Sequence, residues 1–255
     1  MSWPQTCYIG SVAKGRAVYS GAVSTIPGFV SKESWENEFG TIHAIPSSTR
    51  AEPAKALLLF SELLGLSSPL KVLDAGTGNG RNAIYLAKRG CNVTALDFSD
   101  LVLKNALCRV TEAGLTDKVS IVKHRLPERT LFPEKSFDLV LDAYLSCHFL
   151  RNDIWERFWS EMGRITKPGG HLLSIVFSLE DEYYQRLLKD SPDGSLVCDP
   201  INGIWKRLYS EEEIRKLFVR NFDLEYFAKF EFSDEVFNSV YRRVVFTSVL
   251  RKPSF

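Results

Sequence analysis

Residues Val72 to Gly80, which read VLDAGTGNG, constrain this chain more than any other segment. A short, mostly apolar run from Leu70 to Leu73 ends in a carboxylate, Asp74, and glycines follow at alternate positions, Gly76, Gly78 and Gly80. From Asn82 to about Arg89 the pattern is helical. A strand, a glycine turn and a helix in that order form the entry to a nucleotide-binding βαβ unit. Glycine admits positive φ and lets a ligand approach the backbone closely. One glycine would serve a tight turn, whereas three at alternate positions point to a ligand. The acid narrows the choice of ligand. A pyrophosphate seated on helix N–H groups is opposed by an adjacent carboxylate, and a cationic ligand is favoured by it.

A second short apolar run, Asn92 to Asp97, also ends in an acid. Asp97 follows Gly76 by 21 positions, about the distance at which a second-strand carboxylate meets a ribose diol. S-adenosylmethionine fits both acids: it carries an adenosine ribose, a sulfonium and an ammonium, and no phosphate. The pieces LDAGTGNGRNAIYLAKRG, VTALDFS, SFDLVLD (136–142) and ITKPGGHLLSIVF (165–177) occur in that order. Over roughly residues 50–250 the chain resembles the class I S-adenosylmethionine-dependent methyltransferases of the small-molecule type. The resemblance implies S-adenosyl-L-methionine as cofactor. It places Asp74 on the ammonium side, Gly76, Thr77, Gly78 and Gly80 in the cofactor turn, and Asp97 on the ribose. The alternatives are a turn acid for Asp74 and a helix cap for Asp97, although Ser99 is better placed as the cap. Family members often carry an acid after the third strand that accepts from the adenine amino group. Here that region reads IVKHRL (121–126), so the adenine falls to His124 or Arg125 through the backbone, or to backbone atoms and stacking, with Phe98 as apolar neighbour.

The composition sets the bounds. With 255 residues and 45% hydrophobic content the chain can bury a sizeable core. A formal net charge of +1 gives no electrostatic footprint for nucleic acid. Five scattered cysteines without CxxC spacing read as reduced thiols in a cytoplasmic setting. No apolar run approaches a membrane span, and no secretory pattern opens the chain. Residues 1–32 lack acids and carry Lys14, Arg16 and Lys32, somewhat like a transit peptide but with little arginine. A loosely ordered extension or a strand pair over the site is the simpler reading.

Helices are expected over Glu52–Leu64, 80–89, 100–113 and Asp153–Ile165, and from a Ser210 cap to about Val219. Strands are expected over 70–74, 92–97, 119–122, 137–141, 171–177, 224–232 and 242–250. Residues 167–170, KPGG, read as a turn. Alternating helices and strands imply a doubly wound, mostly parallel, Rossmann-like sheet. The family resemblance makes it seven-stranded, with an antiparallel last strand between the fifth and sixth. The domain reading is an N-terminal extension or lid over 1–45 and one domain over 46–255, with an insertion at about 178–209.

Methyl transfer from a sulfonium is an in-line displacement, so the protein chiefly aligns the acceptor and excludes water. The loop DAYLSCHF (142–149) follows a central strand and resembles the family's fourth motif, which makes Asp142, Tyr144 and His148 candidates to position or deprotonate an acceptor. A structural role stands beside the catalytic one for His148. Trp35, His43 and Arg50, upstream of the core, are candidates for the acceptor pocket, with a solvated loop arginine as the alternative for Arg50. Trp205, Arg207 and Tyr209 are weaker candidates. No metal set is expected, and Cys147 and Cys198 are too few for thiolate-type methylation of arsenic. The expected partner is a small-molecule acceptor methylated at N, O or S. The competing readings are a protein acceptor and a cofactor-binding protein without transferase activity.

Overall fold

The computed structural model describes residues 28–43, 45–66, 69–217, 222–237 and 239–254. Of the expected extension over 1–45, residues 1–27 and residue 44 lie outside them. Helix α1 (Lys32–Asn37) runs into one turn of π-helix (Glu38–Ile42), followed by α2 (Pro46–Thr49) and α3 (Lys55–Leu63). The core then alternates β1 (Lys71–Ala75), α4 (Arg81–Lys88), β2 (Asn92–Asp97), α5 (Asp100–Glu112), β3 (Val119–Lys123), β4 (Phe137–Ala143), α6 (Asn152–Ile165) and β5 (Thr166–Phe177). Beyond it come α7 (Glu182–Gln185), β6 (Leu196–Cys198), β7 (Trp205–Arg207), α8 (Glu211–Leu217), β8 (Asp223–Val236) and β9 (Ser239–Arg251).

Seven strands form one sheet in the order β3-β2-β1-β4-β5-β9-β8. β1 to β5 pair in parallel, and β9 lies antiparallel between β5 and β8. This is the expected doubly wound sheet with its reversed strand. One apolar cluster covers one face, with α6 supplying Trp155, Phe158, Trp159 and Met162. A second, from α3 and α4, supplies Leu57, Phe60, Ala83 and Leu86. Burial on both faces explains why Val72, Leu73, Leu139, Val140 and Leu141 form continuous apolar runs.

The local signals act as expected at two helix starts. The Ser99 hydroxyl accepts from the Val102 N–H at the head of α5. Ser210 and Glu213 cap α8 reciprocally, each backbone N–H reaching the other's side chain at 2.8 and 3.2 Å. Elsewhere the structure departs from the sequence reading. α3 begins at Lys55, so Pro53 precedes it; the Ala54 N–H is held by the Asn82 side chain. Residues 167–170 continue β5 through a register shift opposite Phe137/Leu139. The insertion holds a short α7, one turn of 3-10 helix (Leu188–Asp190) and, unexpectedly, a β6–β7 hairpin. β8 and β9 outrun their expected limits, and this carries the 230s and 240s over the carboxyl ends of the central strands.

Candidate functional site

A cavity of about 410 Å³ lies at the carboxyl ends of β1, β2, β4 and β5, where open α/β sheets bind ligands. Its floor is the glycine loop. Gly76, Gly78 and Gly80 all have positive φ, at 70°, 57° and 80°. A Cβ on Gly76 would come within 2.9 Å of the Leu145 side chain, and one on Gly78 within 3.3 Å of the Phe39 ring. The loop therefore needs glycine both for its backbone and for what packs on it.

Asp74 lies beneath this loop, 1% exposed. Its Oδ2 accepts from the Thr77 hydroxyl at 2.7 Å, and its Oδ1 has no hydrogen-bond partner. Burial pushes its carboxyl up to about 6, partly offset by the Thr77 hydrogen bond and the Arg81 charge. Asp74 does not line the cavity, which corrects the expectation of direct contact with an ammonium: its charge acts through the loop. Asp97 does line it. Oδ1 accepts from the Phe98 and Ser99 N–H groups, and Oδ2 from Gly78 N–H at 3.2 Å. One lone-pair position of Oδ2 therefore remains for a ribose hydroxyl, where the sequence reading gave the whole carboxylate. Burial pushes this carboxyl up as well, against the three backbone donors.

Phe98, His124 and Arg125 all line the cavity. The His124 N–H is spent on the Asp97 carbonyl at 2.9 Å, so a backbone donation from His124 to adenine is excluded. The Arg125 guanidinium lies between the rings of Phe29 and Phe98, 5.1 and 5.3 Å from their centroids. An unpartnered buried oxygen at Asp74, three glycines at positive φ and a free acceptor on Asp97 suit a cationic adenosine cofactor.

A roof formed by residues 29–43 and 45–55 crosses the cavity. Asn79, 4% exposed, donates to the Arg50 carbonyl at 3.0 Å and ties the roof to the glycine loop. Glu38, fully buried, accepts from Ile45 N–H at 2.6 Å and from the Asn202 amide at 2.9 Å, joining the roof to the insertion. Of the three expected acceptor residues, Trp35 and Arg50 line the cavity. Arg50 is committed elsewhere: its guanidinium pairs with Asp234 at 2.5 Å and donates to the Glu235 carbonyl. His43 is corrected. It is exposed, sits at φ 50° where it ends the π-helix turn, and is not among the lining residues.

The β4 loop supplies the opposite wall. Asp142 is corrected as a candidate base. Its fully buried carboxylate accepts from Leu145 N–H, from Ser146 N–H and hydroxyl, and from the Ser174 hydroxyl, and it does not line the cavity. It braces the loop. Tyr144 lines the cavity at φ 68° and stacks on Phe177 at 4.8 Å. Burial pushes its hydroxyl up to about 12, so it remains protonated. His148 meets Trp35 edge to face at 4.6 Å. Its Nδ1 donates to the Trp205 carbonyl at 2.9 Å, which leaves Nε2 as an acceptor. Burial, then the nearby Lys206 charge, lowers its pKa to about 3, so the ring is neutral across the physiological range.

Trp205, Arg207 and Tyr209 do not line the cavity, but their neighbour Lys206 does. Lys206 is 1% exposed and its ammonium has no hydrogen-bond partner. A bare buried ammonium costs roughly several kcal/mol. Arg243, 4% exposed, also lines the cavity. Its Nε donates to Asp181 at 2.8 Å, and one Nη is unpartnered. The Arg242–Arg243 pair at the head of a strand was a readable signal, since alternation turns one of the two inward. No comparable signal marked Lys206. Phe39 and Asn79 were missed too, because their roles depend on the roof.

Residues 72–170 match the family profile described as a methyltransferase domain. The sterol 24-C-methyltransferase of Yarrowia lipolytica is 29% identical over 64% of this chain and 42% of its own length. The demethylmenaquinone methyltransferase of Tropheryma whipplei is 33% identical over 46% of each. The chain thus spans less than half the length of these two relatives. Among solved structures, the 1,6-didemethyltoxoflavin-N1-methyltransferase of Burkholderia thailandensis, with S-adenosylhomocysteine bound, superposes with a TM-score of 0.63. It covers 87% of both chains at 20% identity, a likeness of fold.

Proposed function

We propose that this chain, which belongs to the class I S-adenosylmethionine-dependent methyltransferase family, transfers a methyl group from that cofactor to a small-molecule acceptor. One observation carries the reading. A single cavity joins the glycine loop and Asp97 to a chamber walled by Trp35, Tyr144, Phe177 and His148 and roofed by residues 29–43 and 45–55. The cofactor supplies an activated methyl on a sulfonium, so the chain needs to align the acceptor and exclude water. The remaining acceptor position of Asp97 holds the adenosine end through its ribose, over a glycine loop that admits close approach. The aromatic pair Tyr144–Phe177 orients a flat or apolar acceptor. His148 Nε2 accepts a hydrogen bond from the acceptor, and its low basicity makes it an orienting group rather than a proton store. Tyr144 donates one.

The acceptor atom is N, O or S on the sequence reading. The sterol relative is named for methylation at carbon, which adds C to that set. The roof disfavours a protein acceptor, since a protein side chain would have to enter beneath residues tied down through Asn79 and Glu38. Among the described residues no helix is long and apolar enough to cross a membrane. The test is transfer of tritiated methyl from S-adenosylmethionine into a cell extract. Label in the low-molecular-weight fraction, above a control without the protein, is the expected result. Label confined to protein would replace this reading with the protein-acceptor one.

A further inference from the structure

Two cations lining the cavity are buried, and their surroundings differ. The charge of Arg243 is met by Asp181, itself fully buried, and its guanidinium lies 5.1 and 5.2 Å from the ring centroids of Phe177 and Tyr184. It keeps one unpartnered N–H group to offer. Lys206 has no carboxylate: its ammonium lies 5.2 Å from the Tyr184 centroid and makes no hydrogen bond. His148 cannot compensate it, since that ring is neutral and its Nδ1 is engaged by Trp205. The cavity must also accommodate a sulfonium. Two like charges in one low-dielectric chamber repel, unless the second ligand brings a negative charge between them.

Resting on the methyltransferase reading above, we infer that the acceptor binds as a planar oxyanion, a phenolate or enolate, with its charged oxygen on the Lys206 ammonium. The Arg243 N–H adds a directional donor, and Trp35, Tyr144 and Phe177 provide faces for a flat, delocalised ring. Such an acceptor needs no general base inside the cavity, consistent with Asp142 being spent on the loop and His148 being a weak base. In the transfer, an electron pair of the anion forms the new bond to the methyl carbon. The sulfur–carbon bond breaks with its pair going to sulfur, so anion and sulfonium both become neutral. For attack through a ring carbon, the neutral dienone then loses its ring proton to solvent and the C–H electron pair restores the aromatic phenolate, whereas attack through an enolate carbon gives the neutral ketone directly.

The test uses the full chain loaded with S-adenosylhomocysteine and titrated with 4-nitrophenolate, 4-nitroanisole and benzoate, in wild type, Lys206→Met and Lys206→Arg. Nitrophenolate should bind at least about tenfold more tightly than nitroanisole, a preference lost in Lys206→Met and kept in Lys206→Arg. Affinity for S-adenosylhomocysteine should be unchanged in all three. Without ligands, Lys206→Met should raise Tm, because an uncompensated buried charge is removed. Failure of nitrophenolate to bind, equal affinity for nitroanisole, a preference for benzoate, or a lowered Tm in Lys206→Met would overturn the inference. Failure of the wild type to bind S-adenosylhomocysteine would instead overturn the methyltransferase reading.

Discussion

The two ends of the cavity are built in opposite ways. The cofactor end comes from one stretch, residues 74–98, in which a strand end, a loop and the next strand end are neighbours in sequence and in space. Its acids are Asp74 and Asp97, with the Arg81 cation close to Asp74. The acceptor end draws on Trp35, Tyr144, Phe177, Lys206 and Arg243, brought together from the roof, the β4 loop, β5, the insertion hairpin and β9. Its buried cations are Arg243, paired with the buried Asp181, and Lys206, which has no carboxylate partner. A chamber that is acidic at one end and basic at the other suits a cationic donor facing an anionic acceptor. The cofactor end is a local device that any chain with this βαβ unit can carry, whereas the acceptor end exists only when distant segments meet.

The sharpest way to break this comparison is to disable the local end alone. Gly78→Val places a β-branched side chain at φ 57°, with a Cβ about to touch Phe39. Backbone strain of roughly 1–3 kcal/mol and the lost approach to the loop should together lower S-adenosylhomocysteine affinity about 100-fold or more. Calorimetry with circular dichroism checks that binding falls while the fold remains. Normal binding would mean that this turn is not the cofactor cradle.

A second measurement sharpens the electrostatic side. The Asp74 carboxyl is raised to about 6 by burial, with Thr77, Arg81 and Asp97 facing it. A cationic ligand favours the ionised acid, so S-adenosylmethionine affinity should fall as pH drops below 6, by at most about tenfold per pH unit. The stability effect has the opposite sign. The folded pKa lies above the unfolded 3.8, so the folded state binds more protons in between, and this group's contribution to stability declines as pH rises from about 4 to 6. Asp74→Asn should flatten the binding profile near pH 6. A profile that the substitution leaves unchanged would assign the dependence to Asp97.

The smallest effect is expected where the two ends are tied together. Arg50→Ala removes the pair with Asp234 and the bond to Glu235, while the Arg50 carbonyl stays in place for Asn79. A partly exposed pair of this kind is worth about 1 kcal/mol at most. Cofactor affinity should fall only a few-fold, with a slightly lower Tm in a thermal melt. A loss as large as that of Gly78→Val would show that Arg50 contacts the ligand directly.

What could be read from the residues follows from how far apart in the chain the interacting groups are. The glycine loop, the acids at two strand ends, the Ser99 and Ser210 caps and the alternation of strands and helices depend on contacts within a few residues or on hydrophobic periodicity, and both are written in order along the chain, whereas the order of the sheet came from the family resemblance. The positions of the roles were legible there, but not always their direction. Asp142 stands where a catalytic acid would, yet three donors from Leu145 and Ser146 and the Ser174 hydroxyl from β5 turn it inward. His43 stands where a roof residue would, yet the end of a π-helix turn puts it in solvent. Lys206 has no local mark at all. A lysine in a strand of three residues is ordinary until the insertion folds back under Tyr184 and closes it off from water. The sequence by itself determined the alternation of strands and helices and a cradle for a cationic adenosine cofactor, because these rest on periodicity and short-range geometry. Only the tertiary structure decided which side chains face the acceptor and which charges are left without partners, because burial and pairing depend on segments as far apart in the chain as those holding Trp35 and Arg243.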